Sequence, residues 1–200
     1  MHMRRYFAVA SLFVAALCAA KAQAATNLVQ NGSFETGNFA DWTVTNNPQY
    51  SLVADFVTKY FGPESGTYYA MLGSIGSDSY LSQTLATSIG TNYTLSFYLA
   101  SDGGKPSNFS VAVGSDMLMN ENNLPASSYT NYVYDFTATS TATVLKFGSM
   151  DDPGYLLLDN ISVVDPPVTG APLPGSLWLA SAPIGLILGA RLLRRKSSLA

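Results

Sequence analysis

The sequence predicts an all-β fold, an antiparallel sandwich of two sheets, on three observations. Between the two ends of the chain, no helical periodicity lasts beyond two turns. Short alternating or apolar runs take its place. Gly, Asn, Asp, Ser and Pro interrupt those runs every 8 to 15 residues, the spacing of short strands joined by turns.

In chain order the strand segments are 27–30, 51–57, 68–72, 80–84, 93–100, 109–113, 132–138, 144–147 and 155–164. The fifth carries the pattern best. Tyr93, Leu95, Phe97 and Leu99 fall on one face, and Thr94, Ser96, Tyr98 and Ala100 on the other, the period of two of a half-buried strand. Phe109, Val111 and Val113 repeat it, and Tyr132, Tyr134 and Phe136 form another core-facing row. Asp151-Asp152 before Pro153-Gly154 has the look of a catalytic or metal pair. All three residue types form turns, so a turn is the expectation there. The last strand ends where Asp165-Pro166-Pro167 begins. No internal repeat is present.

The ends of the chain carry export signals. Arg4 and Arg5 precede an apolar stretch from Tyr6 to Ala20 and a small-x-small site at Ala22-Gln23-Ala24, which together make residues 1–24 a secretory signal peptide. At the other end, a short linker (166–171) leads to a fixed order over 172–197. Pro172-Leu173-Pro174 comes first, then an apolar segment from Leu177 to Ala190, then Arg191, Arg194, Arg195 and Lys196. An apolar run closed by cations enters a bilayer and stops with its basic end in the cytoplasm. Pro183 interrupts the run, and its length is short for a span, so a marginal or temporary single-helix anchor is expected. The order resembles the PEP-CTERM sorting signal of Gram-negative bacteria in its Pro-Leu-Pro form. That resemblance implies export through the inner membrane, an exosortase-type membrane protease acting at the motif, and a destination at the cell surface or in the extracellular matrix.

Charge and side-chain chemistry narrow the function of the middle. Residues 26–170 hold three cations, Lys59, Lys105 and Lys146, against thirteen Asp and Glu, a net of −10. Nucleic acid and anionic lipid require clustered cations, so neither is an expected partner. The lone cysteine, Cys18, and the lone histidine, His2, both precede this region. No disulfide supports it, and histidine-based triads and zinc sites are ruled out. Carboxylate chemistry remains available for catalysis.

Two motifs narrow the sandwich further: NLVQNGSFETGNFADWTV (27–44) and DDPGYLLLDNISVVD (151–165). Together they resemble the galactose-binding-like jelly roll shared by carbohydrate-binding modules of families four, nine and twenty-two, over residues 27–165. The resemblance implies a structural calcium ion where the first and last strands meet. Its ligands would be the carboxylates of Glu35, Glu64 and Asp159 and the backbone carbonyls of Ser33 and Thr67, a hard-oxygen set that suits Ca2+. Asn160 departs from relatives that carry a second Asp there. The resemblance also places Trp42 in the core. A sugar platform must then use other aromatics: Tyr98, which faces away from the Phe97 row, with Tyr60, Phe61 and Tyr80 in or beside loops. Each of these also suits a partly buried sandwich position. The expected function is that of a non-catalytic surface or matrix protein whose jelly roll binds extracellular polysaccharide. The alternatives are an adhesin or structural surface protein with a protein ligand and, behind it, a glycoside hydrolase or lyase.

Overall fold

The computed structural model describes residues 25–59 and 61–165. The signal peptide, the linker, the sorting signal and Tyr60 lie outside these residues. Eight strands follow one another: β1 (Thr43–Thr45), β2 (Ser51–Ala54), β3 (Tyr69–Ala86), β4 (Asn92–Ser101), β5 (Ser107–Val113), β6 (Asp116–Asn122), β7 (Ser127–Thr137) and β8 (Ala142–Val164). All their pairings are antiparallel. Among the described residues the one helical piece is a 3-10 turn, Pro48–Tyr50.

β3 and β8 make the sandwich. They pair along most of their length, but the register breaks twice, between Leu72 and Ser74 and between Ser74 and Ser79. Their halves therefore serve different layers. One layer runs β2, the first half of β3, the second half of β8, β4 and β7. The other runs β1, the second half of β3, the first half of β8, β5 and β6. Hydrogen bonding is continuous through all eight strands, because two of them belong to both layers.

Two pairs of expected strands are thus single strands: 68–72 with 80–84 in β3, and 144–147 with 155–164 in β8. The Asp151–Gly154 run is not a chain-reversing turn. It is the break in β8, where four residues, 152–155, stand opposite the single residue Gly73. Pro153 has no N–H to give the ladder, which is why the strand yields there. In backbone pairing, segment 27–30 makes an isolated bridge, Asn27 to Val164, and the bond from Leu28 N–H to the Val163 carbonyl at 2.8 Å. β1 and β6 were not expected. β6 buries only Met119 of its seven residues, so its sequence carries no alternation to read.

The core fills the space between the layers. Phe97 is its centre, with its ring 5.4 Å from Tyr132 (stacked) and 5.4 Å from Phe147 (edge-on). Leu95, Phe109, Val111, Leu145, Leu156 and Leu158 are buried around it. Trp42 is a core residue, as expected. It packs against Phe34 and Phe147 and donates its Nε1–H to the Asn31 carbonyl at 3.0 Å.

Gln83 ties the opening segment to β3. Its Oε1 accepts the Gln30 N–H at 2.9 Å, and its Nε2 donates to the carbonyls of Gln30 (2.9 Å) and Asp41 (3.1 Å). Gln83→Ala removes all three bonds but leaves water access to the freed groups. We expect a loss of about 1–2 kcal/mol, read as a lower urea midpoint with an unchanged slope.

Candidate functional site

Residues 64–68 pass between two carboxylates from the opening and closing motifs. Glu35 Oε1 accepts the N–H groups of Thr67 (2.9 Å) and Tyr68 (3.0 Å). Gly66 lies against the same carboxylate at a φ of +70°, and a Cβ there would come within 2.3 Å of Oε1. Only glycine meets both conditions. From the other side, Asp159 Oδ2 accepts the N–H groups of Glu64 (2.9 Å) and Ser65 (3.4 Å), and its Oδ1 accepts that of Asn160 (2.7 Å).

Asp159 is fully buried. Burial lifts its carboxyl to about 6, and the Glu64 charge adds to the rise while the amides of Asn160, Glu64 and Ser65 oppose it. Asn160 Nδ2 donates to Glu64 Oε2 and to Ser65 Oγ. An aspartate at 160 would lack that donor, so the departure noted in the sequence changes what Glu64 is paired with.

The structure therefore brings Glu35, Glu64, Thr67 and Asp159 to one loop. Ser33 lies beside it, in a groove of about 420 Å3 shared with Asn27, Gly32, Asn160 and Ile161. Among the described residues, no three acidic, histidine or cysteine side chains converge on a common point. The Glu35 and Asp159 oxygens expected to hold calcium serve here as acceptors of backbone N–H, and Glu64 accepts from the Asn160 side chain, so a cation at this loop would compete with those amides for them.

A second feature lies on the outer face of the β2–β7 layer. Ala54, Tyr69, Met71, Ala100 and Leu157 form a small apolar cluster on it, with Phe61, Tyr129 and Tyr155 packed against them. Residues 55–59 and 61–63 cross this face and are held by two phenols. Tyr69 OH donates to the Phe56 carbonyl at 2.9 Å, and Tyr129 OH to the Gly62 carbonyl at 3.0 Å. Burial raises the pKa of Tyr129, with the charges of Asp159, Tyr69 and Glu64 adding to it, so the hydroxyl remains a donor. Between the crossing segment and the ends of β4 and β7 an open cleft of about 550 Å3 is lined by Phe61, Pro63, Asp102, Ser127 and Tyr129, among others. Aromatic rings and hydroxyl or carboxylate oxygens thus share one concave surface.

Of the expected aromatics, Phe61 lines this cleft. Tyr98 is half-buried, with Asn131 and Asp159 as its strand partners, and it is not part of the lining. Tyr80 belongs elsewhere. It stands on β3 beyond the register breaks, hence on the other layer, where its ring lies 5.0 Å from Lys146 Nζ. It cannot share a platform with Phe61 or Tyr98, because β3 has changed layers before reaching it. Tyr60 is outside the described residues. Tyr129 was missed: β7 starts at Ser127, and extending the 132–138 alternation backwards puts Tyr129 opposite in parity to the core row.

The fold and this cleft define a β-sandwich binding module. The chain belongs to the carbohydrate binding domain family CBM_4_9, whose model matches residues 26–148. No curated protein matches the chain. Among solved structures it is similar to TmCBM61, determined in complex with β-1,4-galactotriose, at 17% identity and a TM-score of 0.58, covering 70% of this chain and 99% of that one. It is also similar to the CBM22-1–GH10 modules of Clostridium thermocellum xylanase 10B, complexed with xylohexaose. That match has 15% identity and a TM-score of 0.53, and covers 74% of this chain and 30% of that one. The K2 cleaved adhesin domain of Lys-gingipain matches at 16% identity and a TM-score of 0.50, covering 72% of this chain and 99% of that domain. At these identities the likeness is one of fold.

Proposed function

We propose that this protein is an exported, non-catalytic binder of extracellular polysaccharide, and that the glycan lies in the cleft beside residues 57–59 and 61–63. The observation that carries the reading is the cleft itself, on the face of a carbohydrate-binding-family sandwich. Ring faces of Phe61 and Tyr129 offer apolar surface to the C–H face of a pyranose. Ser127, Ser128 and Asp102 offer partners for its hydroxyls. The same reading includes secretion through the 1–24 signal and sorting through Pro172-Leu173-Pro174 and the basic cluster. An exosortase-type protease would process the chain at the surface of a Gram-negative cell. It also includes calcium at Ser33, Glu35, Glu64, Thr67 and Asp159, supported by the hard-oxygen donor set and by the buried charge of Asp159.

The test is binding of the full-length protein to a polysaccharide panel that includes the host's own exopolysaccharide, with calcium and with chelator. Phe61→Ala is expected to weaken binding about tenfold or more, which corresponds to about 1.4 kcal/mol, while Tyr80→Ala leaves it unchanged. Loss of binding in Tyr80→Ala but not in Phe61→Ala would move the site to the other layer. A folded protein that binds no glycan would replace this reading with a protein ligand.

A further inference from the structure

We infer that a divalent cation of the calcium type binds where Asp102, Asp151, Ser107 and the Pro153 carbonyl meet. This site uses none of the residues of the Glu35–Asp159 loop and does not rest on the carbohydrate reading. The break in β8 builds it. Asp151 stands opposite both Ser74 of β3 and Ser107 of β5. In unbroken register with β5 it shares the face of the buried Leu145 and Phe147, so its side chain enters the end of the core rather than solvent. It is 2% exposed, and neither of its carboxylate oxygens has a hydrogen-bond donor. The Ser107 hydroxyl, also 2% exposed, is likewise without a partner. Buried polar groups are nearly always paired. Two adjacent orphans with three unused oxygens between them mark a place that lacks a positive group.

The geometry around Gly104 shows where that group fits. A Cβ on Gly104 would lie 2.4 Å from Asp151 Oδ1, 2.7 Å from the Pro153 carbonyl oxygen and 3.1 Å from Asp102 Oδ1. A Cβ on Gly154 would meet Asp102 Oδ2 at 2.5 Å and Asp151 Oδ1 at 3.0 Å. Two glycines thus leave room for oxygens of both carboxylates and a carbonyl to converge. Asp102 is fixed in place, since its Oδ1 accepts the Gly104 N–H (2.8 Å) and its Oδ2 the Tyr155 N–H (3.2 Å). Burial first, then the charge of Asp102, the hydrogen bond to it that only the protonated form can make, and the charge of Asp152 hold the Asp151 carboxyl up at about 7. Every one of these neighbours disfavours an unpaired anion. Ionised, neither carboxylate can donate to the other, so only a proton or a cation can join them. Carboxylate, carbonyl and hydroxyl oxygens with no nitrogen or sulfur suit calcium and not zinc.

The experiment titrates CaCl2 calorimetrically into full-length protein freed of metal with EGTA at about pH 8, where the proton has left. Asp151→Asn removes the charge isosterically, and Gly104→Ala fills the space without changing charge. Each is expected to lose one calcium equivalent, or to weaken it on the order of 100-fold. Asp159→Asn is expected to retain that equivalent, which separates this site from the loop at Glu35. Where neither first variant folds, Asp102→Asn and Ser107→Ala decide on the same readout. Wild-type stoichiometry and affinity in the variants would overturn the site. So would a wild-type protein that takes up no calcium at millimolar concentration, since a shared proton would then be what joins the two carboxyls.

Discussion

In chelator, the stability of the folded protein is expected to fall as pH rises from about 4 to about 7, and Asp151→Asn is expected to remove the larger part of that fall. The direction is opposite to ordinary acid denaturation. An unfolded Asp titrates near about 3.9, whereas Asp151 in the fold holds its proton up to about 7. Between those values the native state binds the extra proton, so unfolding becomes easier by about 1.4 kcal/mol for each pH unit. Over about three units that amounts to about 4 kcal/mol, present in full below pH 4 and lost by the time Asp151 has ionised. Asp159, raised to about 6, adds a loss of about 3 kcal/mol, complete at lower pH.

Asp151→Asn keeps the shape, stays neutral at every pH and can donate to Asp102. We therefore expect it to be more stable than the wild type at pH 8 by on the order of 3 kcal/mol, or about 10 °C in Tm. Urea midpoints at pH 5 and pH 8 in EGTA read this directly. A wild-type midpoint that is level or rising over that interval would contradict it. Excess calcium is expected to flatten the wild-type profile, because a cation stabilises the ionised form that burial penalises.

Such a site is hard to see in one dimension. The alternation of Tyr93, Leu95, Phe97 and Leu99 makes β4 and its buried face readable, because local parity alone decides which side chains go in. Parity says which face a residue takes within a layer but not which layer it is in. Tyr80 and Tyr98 both look like outward aromatics, and only the register breaks in β3 separate them. The Asp151–Gly154 run reads as a turn by residue type. Its role as a bulge depends on β3 and β5 flanking it on both sides. Asp102 and Asp151 are far apart in sequence, and nothing near either one announces the other. The opening motif is a different case. The side chains of Asn27, Asn31, Glu35 and Trp42 all make specific bonds in the fold, so its residue types carry the geometry with them.

That opening motif is also where a single methyl group is expected to act most strongly. A Cβ on Gly32 would lie 2.1 Å from the Ile161 carbonyl oxygen and 3.1 Å from Val29 Cγ1. The obstacle at Ile161 is backbone in the closing strand, so no side-chain rotation relieves it. The opening segment must move by about 1 Å, and it is held by short bonds: Ile161 N–H to the Gly32 carbonyl (2.9 Å), Leu28 N–H to the Val163 carbonyl (2.8 Å) and Val163 N–H to Asn27 Oδ1 (3.0 Å). Phe34, two residues on, is fully buried and would be displaced with it. Overpacking together with a weakened hydrogen bond or two gives an expected loss of about 3 kcal/mol in Gly32→Ala, or about 10 °C in Tm. Gly90→Ala is the comparison. Nothing lies within 4 Å of its would-be Cβ, and its φ of +79° leaves only backbone strain, worth about 1–2 kcal/mol. Equal losses in the two variants would mean that Gly32 matters for its chain freedom and not for contact with Ile161. A clearly larger loss in Gly32→Ala would extend the folding unit past residue 148, where the family match stops. The contact that Gly32 protects is made with Ile161 of β8, thirteen residues beyond that point, so the opening motif and the end of the closing strand would have to fold as one piece.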